Sequence, residues 1–139
     1  MKVAYSSFNI NTSGFSKKAY VPFLNLRFAN GFKEFETKAL VDSGAHITMI
    51  SKNIAEKILA INWKQGIKSE IFGIVGAKQD MYIHKIDIEV VGLENSKRNI
   101  DIGIVDHVNF GILLGQIGFF EFFNVAFCYS KKYFYINPS

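Results

Sequence analysis

The sequence predicts a single all-β domain, and three observations support that fold class. Hydrophobic residues make up 49% of the 139 residues, which is enough to fill a core. The 14 phenylalanines and 6 tyrosines favour strands over long helices. Apolar and polar residues alternate in several segments, as in half-buried strands. No low-complexity segment or linker interrupts the chain, so residues 1–139 are expected to form one domain.

The first half of the chain predicts strands and one short helix. Strands are expected at four places: Val3–Asn9, Tyr20–Phe28, Phe32–Val41 and Ile47–Ile50. A polar loop over residues 11–14 separates the first two. Asn30-Gly31 predicts a tight hairpin turn, because both residue types tolerate positive φ. Ser51 predicts a helix N-cap, and apolar residues then recur at helical spacing as far as Ala60.

The second half predicts further strands and a second helix. The strand segments are a hairpin over Ile67–Ile83 with its tip near residues 73–76, then His84–Val91, Asn99–Val105, Val125–Phe127 and Lys132–Ile136. A polar connection over residues 92–97 joins two of these strands. Residues 111–115 form a short apolar segment, and the run Gln116–Phe123 is expected to be a short helix.

Charge and hydropathy argue against two classes of partner. The net charge is +4, but acidic residues separate the lysines, and a basic block that would follow a phosphate backbone is absent. We therefore expect no nucleic-acid partner. Residues 1–7 lack the apolar core of a signal peptide. The most apolar stretch, residues 111–127, is short for a span of about 20 residues and contains Glu121 and Asn124, so it predicts a buried core segment rather than a membrane segment.

The cysteine and the histidines do not predict a metal or redox site. Cys128 is the only cysteine, so an intrachain disulfide is impossible, and a cytoplasmic location is expected. Cys128 lies in an apolar strand and is interpreted as a small buried residue rather than a nucleophile. His46, His84 and His107 lack the short spacing of metal ligands. We expect neither a metal nor an organic cofactor.

The segment Val41-Asp42-Ser43-Gly44-Ala45 is the strongest candidate for a functional site. An aspartate between two apolar runs is costly unless its charge has a use or a partner. Gly44 would allow a tight loop through a backbone conformation closed to other residues, and the Ser43 hydroxyl could pin that loop. The alternative interpretation is an ordinary turn after a strand, because Asp-Ser-Gly is common in turns.

Asp42-Ser43-Gly44-Ala45 resembles the Asp-Thr/Ser-Gly-Ala signature of aspartic proteases, in the single-copy form of the retropepsins. The segment Ile112–Gln116, followed by Phe119-Phe120, is similar to the apolar-apolar-Gly segment that braces the catalytic loop in that family. The two motifs and the hairpin between them extend over nearly the whole chain. The resemblance implies a closed barrel of hairpins with one or two short helices, with Asp42 as the catalytic residue. The residues expected to support its loop are Ser43, Gly44, Ala45, Leu114 and Gly115.

The resemblance also implies a homodimer. Peptide hydrolysis by carboxylates needs two groups, one to accept a proton from water and one to donate to the carbonyl oxygen. This chain has one Asp-Ser-Gly, and the second motif contains no acid. Two copies of Asp42 would therefore face each other across a two-fold axis. Many members of that family have an arginine directly after the second glycine, and it fixes the dimer or the active-site loop through ion pairs. This chain has Gln116 there, which can hydrogen-bond but carries no charge, so a weaker dimer is expected.

The hairpin Ile67–Ile83 resembles the flap that closes over an extended peptide substrate. Gly73 and Gly76 would allow it to open, and Phe72, Ile74 and Val75 would line an apolar cleft. An inert surface hairpin is the alternative for this stretch.

The function expected from the resemblance is an aspartic endopeptidase. The rival interpretation, from another class, is a protease-like fold retained as a peptide-binding or dimerisation module with weak or no catalysis. A third is a domain from a longer or membrane-attached precursor.

Overall fold

The computed structural model describes residues 1–72 and 78–139, and twelve strands account for most of them. The strands are β1 (Lys2–Ala4), β2 (Ser6–Thr12), β3 (Phe15–Val21), β4 (Phe23–Asn30), β5 (Lys33–Val41), β6 (Met49–Ser51), β7 (Ile67–Phe72), β8 (Lys78–Val90), β9 (Arg98–Val105), β10 (Ile112–Leu114), β11 (Phe123–Cys128) and β12 (Tyr133–Pro138). One α-helix, α1 (Lys52–Lys57), follows β6, and single 3-10 turns lie at Trp63–Gln65 and Tyr129–Lys131. The predicted all-β class is confirmed.

Six strands close into a barrel. Their order is β4-β5-β10-β6-β9-β8, and β8 pairs again with β4 to complete the ring. The pairs β5–β10 and β6–β9 are parallel, and the other pairs in the ring are antiparallel. The strand β7 extends the sheet beyond β8. The closed barrel that the family resemblance implied is therefore confirmed.

Alternation within the strands fills the barrel. In β4 the fully buried residues Leu24, Leu26 and Phe28 alternate with Asn25 and Arg27, which face outward. The same alternation buries isoleucines of β8 and β9, because every second side chain points to the same face of a strand. The core is thus made mainly of Leu, Ile and Phe contributed by strands from both halves of the chain.

The terminal strands form a second, smaller sheet of order β1-β12-β11. Its middle strand, β12, pairs with β1 through Val3 opposite Phe134 and with β11 along its whole length. The N-terminal ammonium of Met1 donates a hydrogen bond to the Ile136 carbonyl at 2.7 Å. Both ends of the chain are therefore built into one sheet.

Several local predictions differ from the structure. The first predicted strand is two strands that break at Tyr5, and the predicted loop at residues 11–14 is a two-residue turn at Ser13-Gly14 between β2 and β3. The hairpin turn predicted at Asn30-Gly31 lies one residue later, at Gly31-Phe32. The reason is that Asn30 still pairs with Lys33, and of these turn residues only Gly31 has a positive φ, of 59°.

The helix predicted over Gln116–Phe123 is wrong. The segment is mostly turns, with Ile117 in a parallel bridge to Ile47 and Phe123 at the start of β11. Gly118 interrupts any helix with a φ of 91°. A Cβ at Gly118 would lie 2.3 Å from the Asp101 carbonyl oxygen, so the chain passes β9 too closely for any other residue. The first predicted helix exists as α1, but it ends at Lys57 rather than at Ala60, which has a positive φ of 53°. Ser51 occupies its N-cap position without a side-chain capping hydrogen bond.

Thr48 forms hydrogen bonds to β9 and to the segment after β10 at one end of the barrel. It is fully buried, and its Oγ1 accepts a hydrogen bond from the Gly115 amide at 3.0 Å. Its own amide donates to the Ile117 carbonyl at 2.9 Å, and its carbonyl accepts from the Gly103 amide at 2.8 Å. One buried residue therefore connects the strand after Asp42 to β9 and to the segment after β10.

The α-helical part of the described residues is too short and too polar to cross a lipid bilayer.

We predict that Leu26→Ala will destabilise the barrel far more than Arg27→Gln. Leu26 is fully buried where β4 meets both β5 and β8, and truncating a buried leucine costs about 2–5 kcal/mol. Arg27 bridges the same strands on the outside through Glu36 at 3.2 Å and Glu89 at 2.9 Å. These side chains are solvated, which weakens ion pairs. Urea unfolding checks the difference, and equal losses of stability would show that the ion pairs close the ring.

We predict that Thr48→Val will lower the free energy of unfolding by about 1–3 kcal/mol. The substitution keeps the shape of the side chain but leaves the buried Gly115 amide without its acceptor. Thr12→Val is the matched control, since Thr12 is exposed and a change of about 0.5 kcal/mol or less is expected. Urea unfolding of both variants is the measurement. A Thr48 variant as stable as the Thr12 variant would contradict this role of the hydroxyl.

Candidate active site

Asp42 directly follows β5 at the end of the barrel. Its amide donates to the Leu114 carbonyl at 3.0 Å, where Leu114 ends β10 and lies opposite Val41 in the parallel pair β5–β10. On the other side, the Val41 amide donates to the Pro22 carbonyl at 3.0 Å. The backbone that leads into Asp42 is therefore held by neighbours on both sides.

Residues 42–45 form a tight turn that orients the carboxylate. The Ala45 amide donates to the Asp42 carbonyl at 3.1 Å, and the Gly44 amide donates to Oδ1 of Asp42 at 3.0 Å. This is the side-chain turn that aspartate commonly makes with its own backbone. Asp42 is half-buried, and within the described residues its carboxylate forms no ion pair with a cation.

The reason expected for Gly44 is not the one that the structure gives. Its φ lies outside the left-handed region, so the turn does not depend on glycine for its backbone conformation. A Cβ at this position would instead lie 3.3 Å from Oδ1 of Asp42. The absence of a side chain leaves room beside the carboxylate.

The two sequence motifs lie side by side. The Gln116 amide donates to the Ala45 carbonyl, and the Ile117 amide donates to the His46 carbonyl, both at 2.9 Å. Gly115 is required at the crossing, because a Cβ there would lie 2.5 Å from the carbonyl carbon and oxygen of Ile47. The structure therefore brings Asp42, Ser43, Gly44 and Ala45 together with Leu114 and Gly115, although about 70 residues separate them in the sequence.

Gln116 contacts the loop in a way that the sequence did not indicate. Its Nε2 donates to the Ser43 carbonyl at 3.0 Å, across the gap between the two motifs. Gln116 and Ser43 are both exposed. The role of Thr48 was also not predicted from the sequence. The one available signal was its position as a polar residue between Ile47 and Met49 in an apolar run.

The hairpin between the motifs is present as β7 and β8. The two strands pair from Ile67 opposite Ile83 to Phe72 opposite Lys78. Phe72 is thus the last residue of β7. The other residues assigned to the flap, Gly73, Ile74, Val75 and Gly76, lie outside the described residues.

The chemistry of the site is that of one carboxylate. In the described part of the chain, no group of three His, Cys, Asp or Glu side chains is placed to hold a metal ion. Leu114 and Gly115 lie beside the Asp42 turn, and neither carries an acid. A single fixed carboxylate can accept a proton from water, but a second group has to supply the acid.

Comparison with known proteins supports the fold and not a sequence family. No protein-family model matches the chain, and no curated protein matches its sequence. Among solved structures, the protease of the retrovirus EIAV, in complex with the inhibitor HBY-793, superposes with a TM-score of 0.50 at 15% sequence identity. The match covers 69% of this chain and 82% of the EIAV chain. The described chain therefore has a retropepsin-like fold.

Proposed function

We propose that this protein is an aspartic endopeptidase that acts as a homodimer, with Asp42 of each copy forming the catalytic pair. The observation that carries the proposal is the state of the Asp42 carboxylate. It is held on a rigid turn by Gly44, is half-buried, and pairs with no cation among the described residues. It has this geometry in a fold shared with a retroviral protease.

The proposed reaction needs no group beyond two carboxylates and a water molecule. When two carboxylates lie a few ångström apart, ionisation of one opposes ionisation of the other, so over a range of acidic pH the pair shares one proton. The ionised member removes a proton from the water, which attacks the peptide carbonyl. The protonated member donates its proton to the carbonyl oxygen. The first member, which now carries the proton from water, passes it to the leaving amine as the C–N bond breaks, and a hydroxyl of the tetrahedral intermediate returns a proton to the second member. One residue type thereby supplies both base and acid.

A two-fold axis beside Asp42 is the simplest source of the second carboxylate. Each copy would contribute its own 42–45 turn, supported from beneath by the Leu114–Gln116 segment. By resemblance to the retropepsins, the Ser43 hydroxyl is assigned to a hydrogen bond across the axis. Its position supports that assignment, because Ser43 is exposed and is tied to Gln116 through its carbonyl rather than through its hydroxyl.

The proposed substrate is an extended peptide bound between the Asp42 pair and the β7–β8 hairpin. The assignment of Phe72, Gly73, Ile74, Val75 and Gly76 to a flap belongs to this proposal. Backbone groups at such a hairpin would pair with the peptide, and closure would exclude water from the catalytic pair.

One observation favours a second candidate function, a peptide-binding or dimerisation module without catalysis. Gln116 can hydrogen-bond but cannot supply the charge that arginine provides in many retropepsins. Its hydrogen bond to Ser43 weakens this objection, since the side chain still braces the catalytic loop. A dimer that binds peptides and cleaves none of them would favour the second candidate.

We predict that Asp42→Asn will lower peptidase activity by at least about 10³-fold, because the amide cannot act as the base. Asp106→Asn is the matched control, since Asp106 is exposed in the loop after β9 and its loss should leave activity unchanged. The measurement is digestion of a peptide library, with and without a pepstatin-type transition-state mimic. Full activity of a clean Asp42→Asn preparation would refute the catalytic assignment.

We predict a bell-shaped dependence of kcat/KM on pH with an acidic optimum. Above the optimum both carboxylates of the pair are ionised and the acid is lost, whereas below it both are protonated and the base is lost. Initial rates on one cleaved peptide between about pH 3 and pH 8 provide the profile. Activity that rises steadily to alkaline pH would point to a different nucleophile and would argue against a shared proton.

A further inference from the structure

The hairpin of β2 and β3, residues 6–21, forms an arm that stands apart from the barrel. Its strands pair with each other over seven residue pairs, from Ser6 opposite Val21 to Thr12 opposite Phe15. Among the described residues neither strand pairs with a third, and the arm is a separate two-stranded sheet. Every residue from Ser7 to Lys18 is exposed. A lone hairpin is marginally stable in water unless something covers one of its faces.

One face of the arm is apolar and uncovered. The pairing register places the following residues on that face: Phe8, Ile10, Thr12, Phe15, Lys17, Ala19 and Val21. The opposite face carries Ser7, Asn9, Asn11, Ser16, Lys18 and Tyr20. The exposed fractions of Phe8, Ile10 and Phe15 are 45%, 42% and 47%. Three large apolar side chains along one face indicate a surface that meets a partner.

The base of the arm is fixed relative to the candidate active site. The Tyr20 ring packs edge-on against Tyr129 at 6.3 Å, and the Lys132 ammonium lies 4.5 Å from the Tyr20 ring centre. Pro22, directly after the arm, accepts a hydrogen bond from the amide of Val41, the residue before Asp42. The arm therefore starts beside the backbone that carries the catalytic residue.

We propose that the apolar face of the arm docks on a second copy of this chain and holds the dimer together. This inference rests on the homodimer of the proposed function. Since the arm ends beside Val41 and Val41 is bonded directly to Asp42, the arm starts within about 10 Å of the proposed axis. Seven residues of strand extend about 24 Å, which is far enough to reach over the neighbouring copy.

The area of the arm fits this role. Phe8, Ile10 and Phe15 expose roughly 250 Å² of apolar side chain per copy, given about 200 Å² for each large side chain. Two arms and the two surfaces that they cover would bury about 1,000 Å², close to the lower bound for stable interfaces. Two arms together with the contact at Asp42 would exceed that bound.

The charge of the arm fits a second copy as well. Residues 6–21 contain Lys17 and Lys18 and no acid, so all 12 acidic residues of the chain lie outside the arm. Lys17 lies on the apolar face, directly opposite Ile10 in the strand pairing. A surface that the arm covers should therefore place an acidic or polar group against the Lys17 ammonium. A second copy offers such groups on the barrel.

The test compares two faces of the same hairpin. Phe8→Thr with Ile10→Thr removes apolar area from the docking face and keeps residues that favour strands. Ser7→Asn with Asn9→Ser changes the polar face and is the matched control. A third variant joins Ser7 to Tyr20 through Asn-Gly, which removes the outer arm and leaves a two-residue turn. Sedimentation velocity over a concentration series measures the dimer Kd of each.

The expected result is a Kd at least about tenfold higher for the apolar-face and shortened variants, with the control equal to wild type. The circular dichroism of the apolar-face and control variants should match that of wild type, which shows that the barrel still folds. A wild-type dimer whose Kd is the same in all variants overturns the role of the arm and leaves the proposed enzyme intact. Peptidase activity that survives Asp42→Asn overturns the enzyme and leaves the arm intact. A chain that is monomeric at every concentration overturns both.

A lipid surface could also bind apolar residues that lie next to lysines. Vesicle binding distinguishes that alternative from docking on a second copy. Flotation with phosphatidylcholine vesicles, with and without a quarter of phosphatidylserine, is measured for wild type and for the apolar-face variant. We expect no flotation in either case. Flotation that the Phe8 and Ile10 substitutions abolish, with an unchanged dimer Kd, overturns docking on a second copy.

Discussion

The close approach of two backbone segments, residues 42–48 and 114–117, is the constraint on which the rest of the structure depends. Their hydrogen bonds join a turn in the first third of the chain to one in the last third. The approach is possible only because Gly115 has no side chain, since a Cβ would collide with the backbone of Ile47. The buried Thr48 hydroxyl satisfies the amide that this approach takes out of water. These contacts hold the Asp42 turn from outside, in addition to the hydrogen bond that the Gly44 amide donates to Oδ1 of Asp42.

The barrel makes that approach possible. The parallel pair β5–β10 delivers Val41 and Leu114 to the same end, and the parallel pair β6–β9 brings Gly103 beneath Thr48. Parallel neighbours need long connections, and here the connections are α1, the β7–β8 hairpin and β9. The packed core below the site fixes the distances between these strand ends.

Most strands could be predicted from the sequence because alternation is a local property. Residues 32–41 alternate so clearly that only the start of β5 differs from expectation. The strand expected over residues 20–28 is β4 from Phe23 onward, whereas residues 20–21 belong to β3 in another sheet. The helix expected over residues 116–123 does not form, and the reason is non-local. Gly118 lies against the backbone carbonyl of Asp101 on β9 and has a positive φ there, which ends any helix. The arm was missed because Phe15–Ala19 carries two lysines, and its strand forms by pairing with residues 8–12. For the site, a motif could point to Asp42, whereas the donors on Gln116 and Gly115 depend on folding across some 70 residues.

The terminal sheet has a consequence for protein engineering. Because Met1 donates to the carbonyl of Ile136, the two ends of the polypeptide lie side by side. A short flexible connector could therefore join Ser139 to Met1 of the same copy. The same adjacency makes the molecule suitable for circular permutation, with new ends opened between Glu94 and Asn95, which are both exposed.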